Sequence, residues 1–259
     1  MTRIFMHGVY GRMGSAIVEM CSHDPSVEIV AGADIFTPEK SKYDFPVYAN
    51  VSECEEEFDV IIDFSTATAV PAVVEYAVSQ KKPIVICTTA LTDDTNRMIL
   101  DASHKIPIFK SANMSYGMNV VFELVREATK LLYPNVDIEI VEAHHNRKID
   151  APSGTAMAIA DIIAEETNNE LEYTYERHSV SKPRDKKELG ISAIRGGNIV
   201  GEHEVMFIAD EEIVKISHSA QNRTVFARGA IMAASFLVGK APGFYSMTNV
   251  VAEALSNNK

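Results

Sequence analysis

The stretch Glu142-Ala143-His144-His145-Asn146-Arg147-Lys148-Ile149-Asp150-Ala151-Pro152-Ser153-Gly154-Thr155 is the densest collection of reactive side chains in the chain. An imidazole exchanges protons near neutral pH. Lys148, four positions past His144 and beside an acid-bearing turn, offers a proton or a fixed positive charge. Pro152-Ser153-Gly154-Thr155 opens a helix, so Ser153 and its neighbours can present backbone N–H groups to an anion, with Gly154 permitting near contact. Imidazole, ammonium and a helix-start anion site together describe a pocket for a carboxylate-bearing substrate that must be protonated. A metal site competes with this reading, but adjacent histidines rarely point the same way and no third ligand stands at a helical or hairpin spacing. A solvated polar loop is the plainest alternative. His203 and His218 read first as structural histidines, and Met114 and Met118 as core.

A second chemistry sits near the N-terminus. Gly8-Val9-Tyr10-Gly11-Arg12-Met13-Gly14 directly follows an apolar run and opens an amphipathic one, the context in which a glycine loop cradles a dinucleotide pyrophosphate on a helix N-terminus. Its spacing is Gly-x-x-Gly-x-x-Gly, with bulky Tyr10 in the middle. Asp34 follows Gly14 by 20 positions and ends the next apolar run, where an acid accepts hydrogen bonds from the adenosine ribose. Ile35 stands where a basic residue would meet a 2′-phosphate, so the local charge favours NADH, while Arg12, Lys40 or Lys42 keeps NADPH open. Asp63-Phe64-Ser65-Thr66 and Cys87-Thr88-Thr89-Ala90 fall at two further strand ends, where ligands of open α/β sheets bind; capping of the following helices is the alternative.

These groups need elements to position them. Expected strands at 4–7, 28–33, 60–64, 84–87 and 106–110 alternate with helices at 13–22, 69–80 and 93–103, the rhythm of a doubly wound parallel sheet. A helix at 119–132, a strand at 137–142, a polar loop at 144–153 and a helix at 155–167 come next. Strands at 191–195, 204–209 and 212–217 then form a hairpin-rich region with Gly196-Gly197 and Asp210-Glu211 as turns. An apolar helix at 226–238 follows. The fold class is therefore α/β: a Rossmann-like dinucleotide-binding domain at 1–114, an α+β substrate-binding and oligomerisation domain at 115–225, and a segment, 226–259, that returns to the first domain. The net charge of −12 over 259 residues disfavours nucleic acid and anionic membranes as partners. Three scattered cysteines suit a reducing compartment, and the absence of a signal-like apolar N-terminus suits a cytoplasmic protein.

The chain resembles the dihydrodipicolinate reductase (4-hydroxy-tetrahydrodipicolinate reductase) family. The resemblance spans nearly its whole length and rests on residues 8–14, 63–66, 111–119, 142–156, Gly201-Glu202-His203 and 223–229. It implies hydride transfer from the nicotinamide to a cyclic dicarboxylate whose 4-hydroxyl leaves as water, a step of lysine (diaminopimelate) biosynthesis. His144 and Lys148 match proton-transfer positions, with Lys148 the favoured donor, and His145, Gly154 and Thr155 match contacts to the substrate carboxylate. Gly8, Val9, Tyr10, Gly11, Arg12, Met13, Asp34, Cys87, Thr88, Thr89, Ser111, Ala112, Asn113 and Met114 match cofactor contacts, the last four also serving as an interdomain hinge. A homotetramer joined through the sheet of the substrate domain is implied as well. Cys87 and Ala90 depart from family glycines, Tyr10 from a small residue and Ile35 from an arginine used for NADP; the larger side chains crowd the cofactor. Two other readings stand beside this one: a different two-domain dehydrogenase using the same loop, and a nucleotide sensor that binds NADH without turnover.

Overall fold

The computed structural model describes residues 1–36 and 41–257; Lys40, a candidate for recruiting NADP, lies outside them. In chain order the first elements are β1 (Thr2–His7), α1 (Arg12–Cys21), β2 (Val27–Ala33), β3 (Val47–Tyr48), a 3-10 turn (Val51–Glu53), β4 (Val60–Asp63), α2 (Val70–Gln80), β5 (Ile84–Ile86), α3 (Asp93–Ser103) and β6 (Pro107–Lys110). Then come α4 (Tyr116–Leu132), β7 (Asp137–His144), α5 (Gly154–Glu166), β8 (Glu172–Thr174), β9 (Glu188–Arg195), β10 (Gly201–Ile208) and β11 (Ile213–Ala220). The chain ends with α6 (Thr224–Leu237), β12 (Gly243–Tyr245) and α7 (Met247–Asn257). It divides into two compact units, Met1–Ser115 with Thr224–Lys259, and Tyr116–Arg223.

The first unit is built on a parallel sheet in the order β12-β6-β5-β4-β1-β2-β3. Val60-Ile61-Ile62 and Ile84-Val85-Ile86 are buried throughout, because a parallel sheet covered on both faces needs apolar side chains on both. Strand order reverses at β1, which places its carboxyl end, and the glycine loop after it, at the crevice where such sheets bind ligands. At α3 the Thr92 hydroxyl accepts the Thr95 N–H at 3.2 Å, and Asp93 and Asp94 occupy the first turn, whereas α2 starts after Ala69 with no side-chain cap.

The second unit is a five-stranded mixed sheet, β11-β10-β7-β9-β8, with α4 and α5 packed on one face. The hairpin expected through Gly196-Gly197 is not a pairing of its flanking strands. β7 lies between them, parallel to β9 and antiparallel to β10. The glycines reverse the chain, but β7 takes hydrogen-bonding neighbours on both edges, so β9 and β10 do not pair with each other. The turn at Asp210-Glu211 does close a hairpin, bringing Ile208 opposite Ile213. No helix among the described residues is long and apolar enough to cross a membrane.

Helix α6 packs against α1 and β4 to β6 of its own unit, and Gly229 lets it lie close to the segment after β6, since a Cβ there would fall 1.7 Å from the Met114 carbonyl oxygen. Gly229→Ala is therefore expected to destabilise the protein by about 1–3 kcal/mol, the usual cost of overpacking, read as a lower urea midpoint at unchanged slope. An unchanged midpoint would mean that α6 is seated otherwise.

Candidate active site

In the first unit, β1 delivers the chain into the loop at His7. Gly8 has φ +81°, and a Cβ on it would lie 2.5 Å from the Phe64 carbonyl oxygen; one on Gly14 would lie 2.2 Å from the Gly8 carbonyl oxygen. These two positions require glycine, so the loop folds tightly onto the start of α1. That helix begins at Arg12 with Gly11 as its N-cap and no side-chain cap bond, which leaves the amides of Arg12, Met13 and Gly14 as anion donors. The pocket beside it, about 460 Å³, is lined by His7, Gly8, Tyr10, Gly11, Asp34, Ile35, Phe36, Phe64, Ser65, Thr66 and Ala69. Asp34 accepts the Tyr10 N–H at 2.9 Å and the Phe36 N–H at 3.0 Å, one per oxygen, leaving lone pairs for sugar hydroxyls. The cradle therefore fits a dinucleotide.

The Tyr10 ring lies aside along this pocket, stacked on Tyr43 at 5.5 Å and edge-on to Phe36 at 6.1 Å. Lys42 sits over the Tyr43 ring and donates to the Ser15 hydroxyl. Val9 is fully buried and does not line the pocket; its N–H goes to the Ala33 carbonyl and its carbonyl accepts the Tyr43 hydroxyl. Beneath the pocket, the fully buried Asp63 accepts His7 Nδ1 at 2.8 Å, the Ser65 hydroxyl at 2.6 Å and the Thr88 hydroxyl at 2.6 Å. It thereby ties the ends of β1, β4 and β5 together. Desolvation pushes the Cys87 thiol well above its ordinary range, with the Asp63 carboxylate adding to the effect, so Cys87 is not a thiolate nucleophile. Thr89 is exposed, and Ala90 holds φ +57°, the left-handed conformation glycine favours. Ser111 to Met114 follow β6 and do not line this pocket; Asn113 accepts the Ser115 N–H at 2.8 Å, and Met114 is buried.

In the second unit the alternation of β7 puts Glu142 and His144 on one face, and register places Arg195 beside His144 and His203 beside Glu142. Glu142 is fully buried and accepts Arg195 in bidentate fashion, Nη2 at 2.7 Å and Nη1 at 2.8 Å, as well as His144 Nδ1 at 2.6 Å and the Ser153 N–H at 3.0 Å. Desolvation alone would raise the Glu142 pKa, but Arg195, His144 and the Ser153 amide outweigh it and hold the carboxyl below its usual range. With Nδ1 engaged, His144 keeps Nε2 for chemistry, and Gly201 leaves it room: a Cβ there would stand 3.1 Å from Nε2.

The Ser153 hydroxyl accepts the Ala156 N–H at 3.2 Å as the N-cap of α5 and lies 3.2 Å from His203 Nε2. Burial, with His144 alongside, pushes His203 down to about 4, so its ring is neutral where it meets the Ser153 hydroxyl. His145 is also lowered, first by desolvation and then by Arg147 and Arg223, and its Nδ1 has no partner. Lys148 pairs with Asp150 at 2.9 Å. A Cβ on Gly154 would meet nothing within 4 Å, so the start of α5 opens on free space.

His144, His145, Lys148, Ser153, Gly154 and Thr155 thus share one region of the second unit. Sequence reasoning gave His7 and Arg195 no place in the site, carried Asp63 only within a strand-end segment and Glu142 only within the reactive stretch, and read His203 first as structural. The signal for Glu142 was its two-residue spacing from His144; strand pairing, invisible in a linear sequence, brings in Arg195 and His203.

A glycine-loop crevice in one unit and an ordered acid/base segment in the other define a two-unit oxidoreductase using a nicotinamide cofactor. Family models described as the N-terminus and the C-terminus of dihydrodipicolinate reductase match residues 2–114 and 117–251. The chain belongs to the dihydrodipicolinate reductase family. A 4-hydroxy-tetrahydrodipicolinate reductase of Caldanaerobacter subterraneus subsp. tengcongensis is 48% identical over 251 residues, covering 97% of this chain and 98% of the relative. One from Clostridium tetani is 46% identical over 95% of this chain and 96% of its own length. In fold, the chain is similar to a dipicolinate-bound dihydrodipicolinate reductase from Paenisporosarcina sp. TG-14, with a TM-score of 0.81 at 22% identity over 96% of this chain and 99% of the other.

The depressed His203 pKa has a consequence for stability. Between the unfolded value of roughly 6.5 and the folded value of about 4, the unfolded chain binds the extra proton. Stability is therefore lost as pH falls through that window. His203→Gln is expected to show a shallower fall than the parent in urea unfolding across the window; parallel pH curves would refute a buried neutral His203.

Proposed function

We propose that the chain reduces 4-hydroxy-tetrahydrodipicolinate to tetrahydrodipicolinate, the unit containing the glycine loop binding the dinucleotide and the unit containing β7 binding substrate and joining copies of the chain. A reduced nicotinamide, when bound, supplies the hydride. One hydride and one proton enter the substrate and its 4-hydroxyl leaves as water. Lys148 Nζ is the favoured proton donor, and His144 Nε2 the second acid/base group. His145, Ser153, Gly154 and Thr155 hold a substrate carboxylate, Ser153 through its place as the N-cap of α5. The observation that carries this reading is the clamp on His144: with Nδ1 bound to Glu142 at 2.6 Å, the ring is oriented before any ligand arrives. The names of the curated relatives support the substrate, and the name of the Paenisporosarcina structure supports a planar ring dicarboxylate as its analogue.

For the cofactor, Gly8 to Met13, Asp34, Cys87 to Thr89 and Ser111 to Met114 make the contacts, and NADH is preferred over NADPH. Ile35 is 86% exposed where a cation would meet a 2′-phosphate, and Lys42 is already engaged by Ser15 and the Tyr43 ring. The protein is a cytoplasmic homotetramer in this reading, joined through the five-stranded sheet, where Ile194, Ile213 and Val214 are exposed.

Two measurements follow. Loss of reduced-nicotinamide absorbance, with a synthase generating the unstable substrate, is expected to slow by roughly 10²-fold or more in kcat for Lys148→Ala and for His144→Ala, with cofactor affinity little changed. Equal loss of cofactor binding in both variants would remove those roles. Ile35→Arg is expected to raise kcat/KM for NADPH about tenfold relative to NADH, the scale of one charge-assisted hydrogen bond. A parent enzyme that already favours NADPH would overturn the cofactor assignment.

A further inference from the structure

Lys148 already has a carboxylate. Asp150 Oδ1 stands 2.9 Å from its ammonium. Its backbone is pinned, because Arg195 Nη2, engaged with Glu142, also donates to the Asp150 carbonyl at 2.6 Å. Its side chain is not pinned: it is 57% exposed, against 21% for Lys148. Partial desolvation would raise the Asp150 carboxyl, yet Lys148 holds it below the usual carboxylate range, and the Gly154 N–H contributes in the same direction. Asp150 thus draws on the ammonium and the helix-start amide that the reading above gives to the substrate. Other amides of that turn are committed, Ser153 N–H to Glu142 and Ala156 N–H to the Ser153 hydroxyl.

We propose that Lys148 Nζ, besides its proton-transfer role, meets the substrate carboxylate held by His145, Ser153, Gly154 and Thr155, and that Asp150 competes for that contact, so that binding there exchanges one carboxylate for another. The exchange selects ligands. A ring bearing a carboxylate replaces the ion pair it breaks, whereas a ring without one would strand Lys148 and gains no entry. The fixed backbone and free side chain let Asp150 swing out toward water without disturbing the Glu142 cluster. The proposal rests on the assignment of the substrate to Lys148, and the test separates the two.

The probe is dipicolinate, titrated calorimetrically near neutral pH into the full-length parent, Asp150→Asn, Lys148→Ala and the double variant. Asp150→Asn is expected to tighten dipicolinate about two- to fivefold, the scale of a half-exposed ion pair, and Asp150→Ser, a smaller neutral replacement, to do the same. In the Lys148→Ala background the gain is expected to vanish. Weaker or unchanged binding in both Asp150 variants overturns the proposal, and so does an equal gain with and without Lys148, which would reduce Asp150 to a general field effect. Dipicolinate binding indifferent to Lys148→Ala would instead sink the substrate assignment itself.

Discussion

One buried charge orders the second unit. Glu142 is enclosed on a strand flanked by β9 and β10, where an uncompensated carboxylate would cost several kcal/mol, and four donors offset that cost. Two come from Arg195 at the end of β9, one from His144 at the end of β7, and one from the amide that caps α5. Removing any one leaves a buried charge short of a partner, a loss on the order of 3–5 kcal/mol when the partner is the guanidinium. Two strand ends and a helix start are therefore locked in mutual position. The orientation of His144 is a property of the fold rather than of a bound ligand.

Counting acceptor capacity sorts the chain's carboxylates by what they can still do. An ionised carboxylate has about four lone-pair positions. Glu142 uses four. Asp63 accepts three side chains and, at 3.3 Å, the Ser65 N–H. Both are saturated, and both tie elements together. Asp34 accepts two backbone amides and faces a pocket, which is the condition of a group fixed in place yet able to take sugar hydroxyls. Asp150 has one side-chain donor and more than half its side chain in solvent. The same functional group thus ranges from saturated clamp to carboxylate with acceptor capacity to spare, according to how many donors the fold supplies.

What could be read from the sequence divides along the same physical line. Short-range signals carried: apolar runs marked β1, β2, β4, β5 and β6, and the reactive residues of 144–155 were visible because they are contiguous. Signals of pairing did not carry. β3, β8 and β12 are two or three residues long and exist only because a neighbour supplies the ladder; β12 pairs with β6 across more than half the chain. The insertion of β7 between β9 and β10 is likewise a matter of long-range pairing, which a turn dipeptide does not report. Polarity misplaced His144, read as the start of a loop, whereas it ends β7 with its ring against Glu142. Arg195 and His203 reach the site only through register.

Two positions, Ala90 and Tyr10, sharpen what that loop architecture requires. Ala90 keeps the left-handed backbone, φ +57°, at a cost of roughly 1–2 kcal/mol that glycine would avoid. Tyr10 keeps its N–H on Asp34 while its ring packs away onto Tyr43 and Phe36. In both cases a side chain larger than glycine's is accommodated within its loop. At Gly8 and Gly14, by contrast, a Cβ would strike a carbonyl oxygen, and there the residue itself is fixed. The constraint on the loops is therefore the placement of backbone donors, and glycine is obligatory only where two backbones meet.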